Sequence, residues 1–235
     1  MKNKSFVIIP ARGGSKRIPR KNLLEVLGKP LIQWTLENLI SCEVFDEIIV
    51  TSDDFEIRQI AKGLGINMVL ERSPELSNDE IPTRPVIIDA IKRIKNISAE
   101  DLVCVVYPTS ALVSGDIYRE SHNLAEKILN EEMLQGVIRF IHPIERAFTI
   151  GVDGYLRSKF PKFQEFRTQD LEECFYDAGQ FYWAKSDSWL NTKEFARIPF
   201  RLDESIIRDL DTKEDLEIFL KIAKEVLEKR QFGIM

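Results

Sequence analysis

The chain has 235 residues, 44% hydrophobic and 30% charged, enough to bury one continuous core and ordinary for a soluble globular protein. Its formal net charge of −5 argues against bulk nucleic-acid binding, which needs a basic domain or stripe. No apolar run approaches a membrane span, and the opening "MKNKSFVIIPARGG" is too weakly apolar for a signal peptide. With Cys42, Cys104 and Cys174 scattered and odd in number, the reading is a cytoplasmic protein with reduced thiols and no membrane or nucleic-acid partner.

Short β-branched runs alternate with amphipathic segments along the chain. "SFVIIP" (5–10) predicts a strand and "LIQWTLENLIS" (31–41) a helix. "EIIVTS" (47–52), "MVLE" (68–71), "LVCVVYP" (102–108) and "GVIRFI" (136–141) predict further strands, apolar at consecutive positions as in parallel strands buried on both faces. Between them, residues 54–65, 83–95 and 115–132 carry helical spacing, with Pro85 in a first turn. From about 141 to 200 the alternation breaks into shorter strands and loops, read as an insertion within a single domain of residues 1–235. "TKEDLEIFLKIAKEVLEKR" (212–230) predicts a closing helix. The fold class is α/β, a mostly parallel sheet flanked by helices.

Ligands of such sheets sit outside the carboxyl ends of the strands. Four polar segments fall there: the GGSK loop after the first strand, "TSDD" (51–54), "ERSPELSNDE" (71–80) and "YPTS" (107–110). Backbone N–H groups around Gly13, Gly14 and Ser15 can converge on phosphate oxygens, and Arg12, Lys16, Arg17, Arg20 and Lys21 crowd the same loop. Its order matches neither a Walker A loop nor a dinucleotide fingerprint, so a P-loop kinase or dehydrogenase is disfavoured. Near the end, "IIRDLDTKEDLE" (206–217) puts Asp209 and Asp211 on one face if extended. Such a pair suits Mg²⁺, though Asp211 or Thr212 could instead cap the final helix. A cationic glycine loop with an acidic pair describes nucleotidyl or phosphoryl transfer.

At "IIPARGGSKRIPRKN" the sequence resembles the acylneuraminate cytidylyltransferases, and the likeness continues through "LGKPLIQWTL", "IIVTSDDFEI", "ERSPELSNDE", "YPTSALV" and "RDLDTKEDLE". The resemblance implies a Rossmann-like nucleotide-diphospho-sugar transferase fold with a dimerisation insertion at about 141–200. It also implies CTP and an acidic nine-carbon sugar as substrates, Mg²⁺ as cofactor, pyrophosphate release and a homodimer. By position, Arg12, Ser15 and Lys16 would hold phosphates, Lys21 would stabilise charge at the α-phosphate, and Ala11, Gly13, Gly14 and Asn22 would complete the nucleotide loop. Arg72 and Thr83 match the cytidine grip, and Asp209 with Asp211 the metal pair. Arg167 and Gln169 match a motif near the acidic sugar.

Two departures fall in the sugar pocket of the resembled family. A Gln-Pro-Thr-Ser-Pro run is here Tyr107-Pro108-Thr109-Ser110-Ala111, and an Asn-Gly-Ala-x-Tyr stretch is "DAGQFYW" (177–183). With "HPIERAF" upstream, the chain looks like the pseudaminic acid cytidylyltransferase branch, with Tyr107, Thr109, Gln180 and Tyr182 toward the sugar. Tyr107, Phe181, Tyr182 and Trp183 would give that pocket an apolar wall, unless alternate members belong to a core strand. Rival readings are activation of legionaminic, N-acetylneuraminic or Kdo acids, a sugar-1-phosphate nucleotidyltransferase, and a non-catalytic nucleotide-binding domain.

Overall fold

The computed structural model describes residues 3–231 apart from Lys16, Asp79, Ile206, Arg208, Asp209 and Asp211. Strand β1 (Ser5–Pro10) runs into the basic loop, a 3₁₀ turn at Lys21–Leu23, and a small hairpin of β2 (Glu25–Val26) and β3 (Lys29–Pro30). There follow α1 (Leu31–Ser41), β4 (Glu47–Ser52), α2 (Phe55–Gly63), β5 (Met68–Glu71), α3 (Thr83–Arg93), β6 (Leu102–Val106) and α4 (Gly115–Ala125). The second half holds β7 (Glu132–Arg139), a hairpin of β8 (Phe148–Ile150) and β9 (Leu156–Ser158), then β10 (Phe175–Lys185), α5 (Ser186–Asn191), β11 (Ala196–Arg201) and α6 (Lys213–Gln231).

Among the described residues, one seven-stranded sheet in the order β11-β7-β10-β6-β1-β4-β5 forms the middle layer. Its pairs are parallel except for β10, which is antiparallel to both neighbours. Alternation along the strands divides two cores. Val7 and Ile9 of β1, Cys104 and Val106 of β6, and Phe181 and Trp183 of β10 face α1, α2, α4 and α6. Phe6, Ile8, Val103, Val105 and Ala184 face α3 and α5. Strands buried on both faces must be apolar at every position, which is why their runs read as continuous.

Several sequence expectations shift here. The helix expected over 115–132 stops at Ala125, because Glu132 already opens β7 and a turn with Glu131 at φ 69° lies between. The stretch 141–200 divides: β10 and β11 belong to the main sheet, so only about 140–174 stands apart from it. Of the aromatic wall, Phe181 and Trp183 are the alternate members that belong to the core strand, both fully buried. A strand inside the sheet, as β10 is between β7 and β6, offers only alternate side chains to each face. Thr212 caps the last helix, its hydroxyl accepting from the Asp215 N–H at 3.1 Å while the Asp215 carboxylate accepts from the Thr212 N–H and hydroxyl, each at 2.8 Å.

Candidate active site at the carboxyl edge of the sheet

The chain leaves β1 at Pro10 and turns over the sheet edge. Buried Ala11 donates its N–H to the Thr51 carbonyl at 3.0 Å, fixing the loop's first residue to the end of β4. Gly13 donates its N–H to Asp53 Oδ1 at 3.0 Å. Asn22, buried, closes the loop by donating its side-chain amide to the Arg12 carbonyl at 2.8 Å. Arg20, at φ 53°, pairs with Glu56 at 2.8 Å and Asp54 at 3.4 Å. Asp54 itself caps α2, accepting from the Glu56 and Ile57 N–H groups. "TSDD" thus stands behind the basic glycine loop as its brace.

The loop forms one side of a cavity of about 610 Å³, to which Arg12, Gly14, Ser15, Arg17, Lys21 and Asn22 contribute. The Lys21 ammonium donates to the Leu210 carbonyl, tying the loop to the segment before α6. Opposite the loop, the turn after β5 and the first turn of α3 supply Leu76, Ser77, Asn78, Ile81, Thr83 and Val86. No acidic side chain occupies that first helical turn, so its N–H groups keep a positive end toward the cavity.

Arg72 joins the two sides. It is only 6% exposed; its Nη2 donates to the Thr51 carbonyl at 2.7 Å, and its buried Nε has no hydrogen-bond partner among the described residues. Burial lowers the guanidinium pKa below the usual arginine range, opposed by the charge of Asp53 and reinforced by Arg12. A buried donor left unmatched is costly, so a ligand acceptor at this point would be strongly held.

The third wall is the segment after β6, with Tyr107, Pro108 and Thr109, joined by Gly179 of β10. Its backbone is anchored from several directions. Tyr107 N–H and the Ser110 hydroxyl both donate to the Gln180 carbonyl at 3.0 Å. Thr35 donates to the Pro108 carbonyl at 2.8 Å, and Arg230 of α6 to the Leu112 carbonyl at 2.7 Å. The Tyr107 hydroxyl lies 3.3 Å from Thr83 Oγ1.

Of the residues singled out from sequence, the structure brings Arg12, Gly14, Ser15, Lys21, Asn22, Arg72, Thr83, Tyr107 and Thr109 to one cavity. Ala11 and Gly13 support the loop from behind. Gln180 is buried, with its amide donating to the Ala178 carbonyl at 2.9 Å, and Tyr182 stands behind Tyr107 with ring centroids 5.8 Å apart. Arg167 and Gln169 occupy an exposed turn within 140–174 and do not line the cavity. Lys16, Asp209 and Asp211 lie outside the described residues. Among those described, no group of three or more His, Cys, Asp or Glu stands together as a metal site, and no helix is long and apolar enough to cross a membrane. Sequence reasoning missed Arg17, Ile81 and Val86 as wall residues. Ile81 falls between the polar segment 71–80 and the helix 83–95, and Val86 reads equally well as helix core.

Residues 6–149 match the signature of the family described as "Cytidylyltransferase". The pseudaminic acid cytidylyltransferase of Campylobacter jejuni serotype O:2 is 36% identical over 97% of this chain and all of its own length. An N-acylneuraminate cytidylyltransferase of Streptococcus agalactiae serotype V is 28% identical over 90% of this chain and 51% of its own. Among solved structures, a CMP:2-keto-3-deoxy-manno-octonic acid synthetase complexed with CTP superposes with a TM-score of 0.70 at 15% identity, covering 95% of this chain and 99% of that one. A 4-diphosphocytidyl-2C-methyl-D-erythritol synthase gives 0.66 at 12% identity, covering 94% and 99%. These two share the fold. The signature and the full-length relative, matched to a basic glycine loop at the carboxyl ends of a mostly parallel sheet, establish that this chain is a nucleotidyltransferase and belongs to the cytidylyltransferase family.

Proposed function

We propose that the protein transfers CMP from CTP to the anomeric hydroxyl of a nonulosonic acid, pseudaminic acid first among them, releasing pyrophosphate. The observation that carries the reading is the single cavity in which the cationic loop, buried Arg72 and the Tyr107 wall meet. Its likeness to a pseudaminic acid cytidylyltransferase along the whole chain supports the choice of sugar.

The chain's own groups divide the work along the triphosphate. Arg72, with its unmatched Nε, and Thr83 hold the cytidine end. Arg12 and Lys16 take the departing pyrophosphate, with Ser15 and the loop N–H groups on its oxygens. Lys21 opposes the charge that builds at the α-phosphate as the sugar hydroxyl attacks in line and the bond to the β-phosphate oxygen breaks. Tyr107 and Thr109 shape the sugar side, and Arg167 with Gln169 are its more distant candidates. Asp209 and Asp211 would hold Mg²⁺. The donor set fits, since two carboxylates leave a hard cation room for phosphate oxygens and water, and Lys21 reaches the residue lying between them in sequence. Bound there, the ion would supply charge neutralisation on the phosphates.

Pyrophosphate release with CTP, Mg²⁺ and a panel of pseudaminic, legionaminic, N-acetylneuraminic and Kdo acids tests this directly. Turnover with CTP and not with ATP, GTP or UTP in its place, and the highest kcat/KM on pseudaminic acid, is the expected result. No release on any acid sugar rejects the reading, and preference for another acid rejects the choice of sugar.

Segment 140–174 is also proposed to carry a homodimer interface. Its hairpin β8–β9 stands off the main sheet and exposes Phe148, Ile150, Tyr155 and Leu156, with Ile150 at 75%. A two-stranded hairpin is marginal alone and an apolar patch on it calls for cover. Sedimentation should give twice the 27.2 kDa chain mass. I150D should shift it to monomer, and a monomeric parent protein rejects the interface.

A further inference from the structure

Strand β10 does not run evenly beside β7. Asp177 pairs with Val137 and Tyr182 with Gln135, so five steps along one strand answer two along the other. The surplus forms a bulge in which Gly179 adopts φ 61°, a conformation that favours glycine. This bulge carries Gly179 into the cavity wall.

One carboxylate spans the bulge. Asp177 Oδ1 accepts the Gly179 N–H at 2.9 Å, and the Tyr182 hydroxyl donates to the same carboxylate at 2.8 Å from Oδ1 and 2.9 Å from Oδ2. The Tyr182 ring meets the Tyr107 ring edge-on, at 5.8 Å and 81°. Tyr107 lines the cavity and reaches Thr83 through its hydroxyl at 3.3 Å. Asp177 itself is exposed and does not line the cavity.

We propose that Asp177 is a positioning residue for the sugar half of the site, fixing Gly179 and, through Tyr182, the Tyr107 ring that separates the sugar wall from the nucleotide. The inference deepens the proposed CMP transfer and rests on it for the identity of the sugar. Charge-assisted bonds hold a phenol more firmly than neutral ones. Aromatic edges then pass that placement to the next ring. A carboxylate that only capped the bulge would set stability and leave the two substrates equally bound.

The test compares D177A, D177N and Y182F with the parent protein in steady-state pyrophosphate release, with CTP binding followed separately. D177A should raise KM for the acid sugar about 10-fold, the scale of one charge-assisted hydrogen bond, with KM for CTP held within about twofold. D177N should restore most of the loss, since its amide oxygen can still accept the Gly179 N–H. Y182F should reproduce part of it with Gly179 still held. If D177A does not fold, Y182F alone decides through the same split of KM values. Equal rises in both KM values, or a fall in melting temperature alone, overturn the proposal. A parent protein inactive on every acid sugar defeats the functional reading instead. The crystal structure of D177A then decides this inference, and Gly179, Tyr182 and Tyr107 unmoved in it would overturn it.

Discussion

Replacing Lys21 by alanine is expected to lower turnover at saturating CTP by about 10²–10³-fold, or ~3–4 kcal/mol of transition-state stabilisation. The lysine opens the short turn Lys21–Leu23, directly after Arg20 is pinned by its pairs to Glu56 and Asp54. Neighbouring Asn22 is locked onto the Arg12 carbonyl. The ammonium is therefore delivered by a backbone braced on both sides, which is the condition for electrostatic stabilisation without reorganisation. Arginine at this position should not restore the rate, because a planar fork cannot replace a compact point charge at the same place. Single-turnover pyrophosphate release measures the effect. Turnover within about threefold of the parent would remove Lys21 from the reacting phosphorus, since a general electrostatic role is worth far more than that.

Gly13→Ala is expected to raise KM for CTP about 10-fold or more and to cost about 1–3 kcal/mol of stability, the scale of an overpacked site. A Cβ on Gly13 would lie 2.6 Å from Asp54 Oδ2, 2.8 Å from its Cβ and 3.1 Å from its Cγ. Asp54 cannot swing away cheaply, because its Oδ1 accepts from Glu56 N–H at 2.8 Å and Ile57 N–H at 3.1 Å at the start of α2. The loop must move instead, taking the Gly13 N–H from Asp53 and disturbing the backbone proposed to hold the phosphates. Gly14→Ala is the control, since its added Cβ would meet nothing within 4 Å among the described residues. Thermal denaturation and CTP titration of the two variants check the argument. Identical behaviour of the pair would reject the steric account.

Much of this architecture is legible in the sequence, for reasons visible at particular residues. "SFVIIP" and "EIIVTS" read correctly as strands because both faces of each are packed, so the apolar runs 6–9 and 48–50 are unbroken and the polar residues stand only at the ends. The 83–95 and 54–65 helices were readable from spacing, and Asp54 in its capping position marks where the second begins. β10 was harder. "DAGQFYWAK" mixes a bulge, a buried Phe181 and Trp183, and an outward Tyr182, so its local pattern resembles a loop with aromatic contacts. Its identity as a strand depends on β6 and β7 lying on either side, and those are distant in the chain.

The cationic loop shows the same division. Its glycines and positive charges, and its place after an apolar strand, are written locally, so the proposal that it is an anion site could be made from composition and position alone. What it rests against does not. Asp53 under Gly13, Asp54 crowding the same glycine, and the Leu210 carbonyl at Lys21 all come from segments dozens to nearly two hundred residues away. Arg20, without a task in the linear reading, proves to be the loop's tie to α2. Arg167 and Gln169, matched by motif, lie outside the cavity. Periodicity, caps and turn chemistry are short-range interactions that a sequence carries in the open. The convergence of side chains on a ligand is set by strand order and register, which depend on packing between elements far apart in the chain, and only the folded structure decides it.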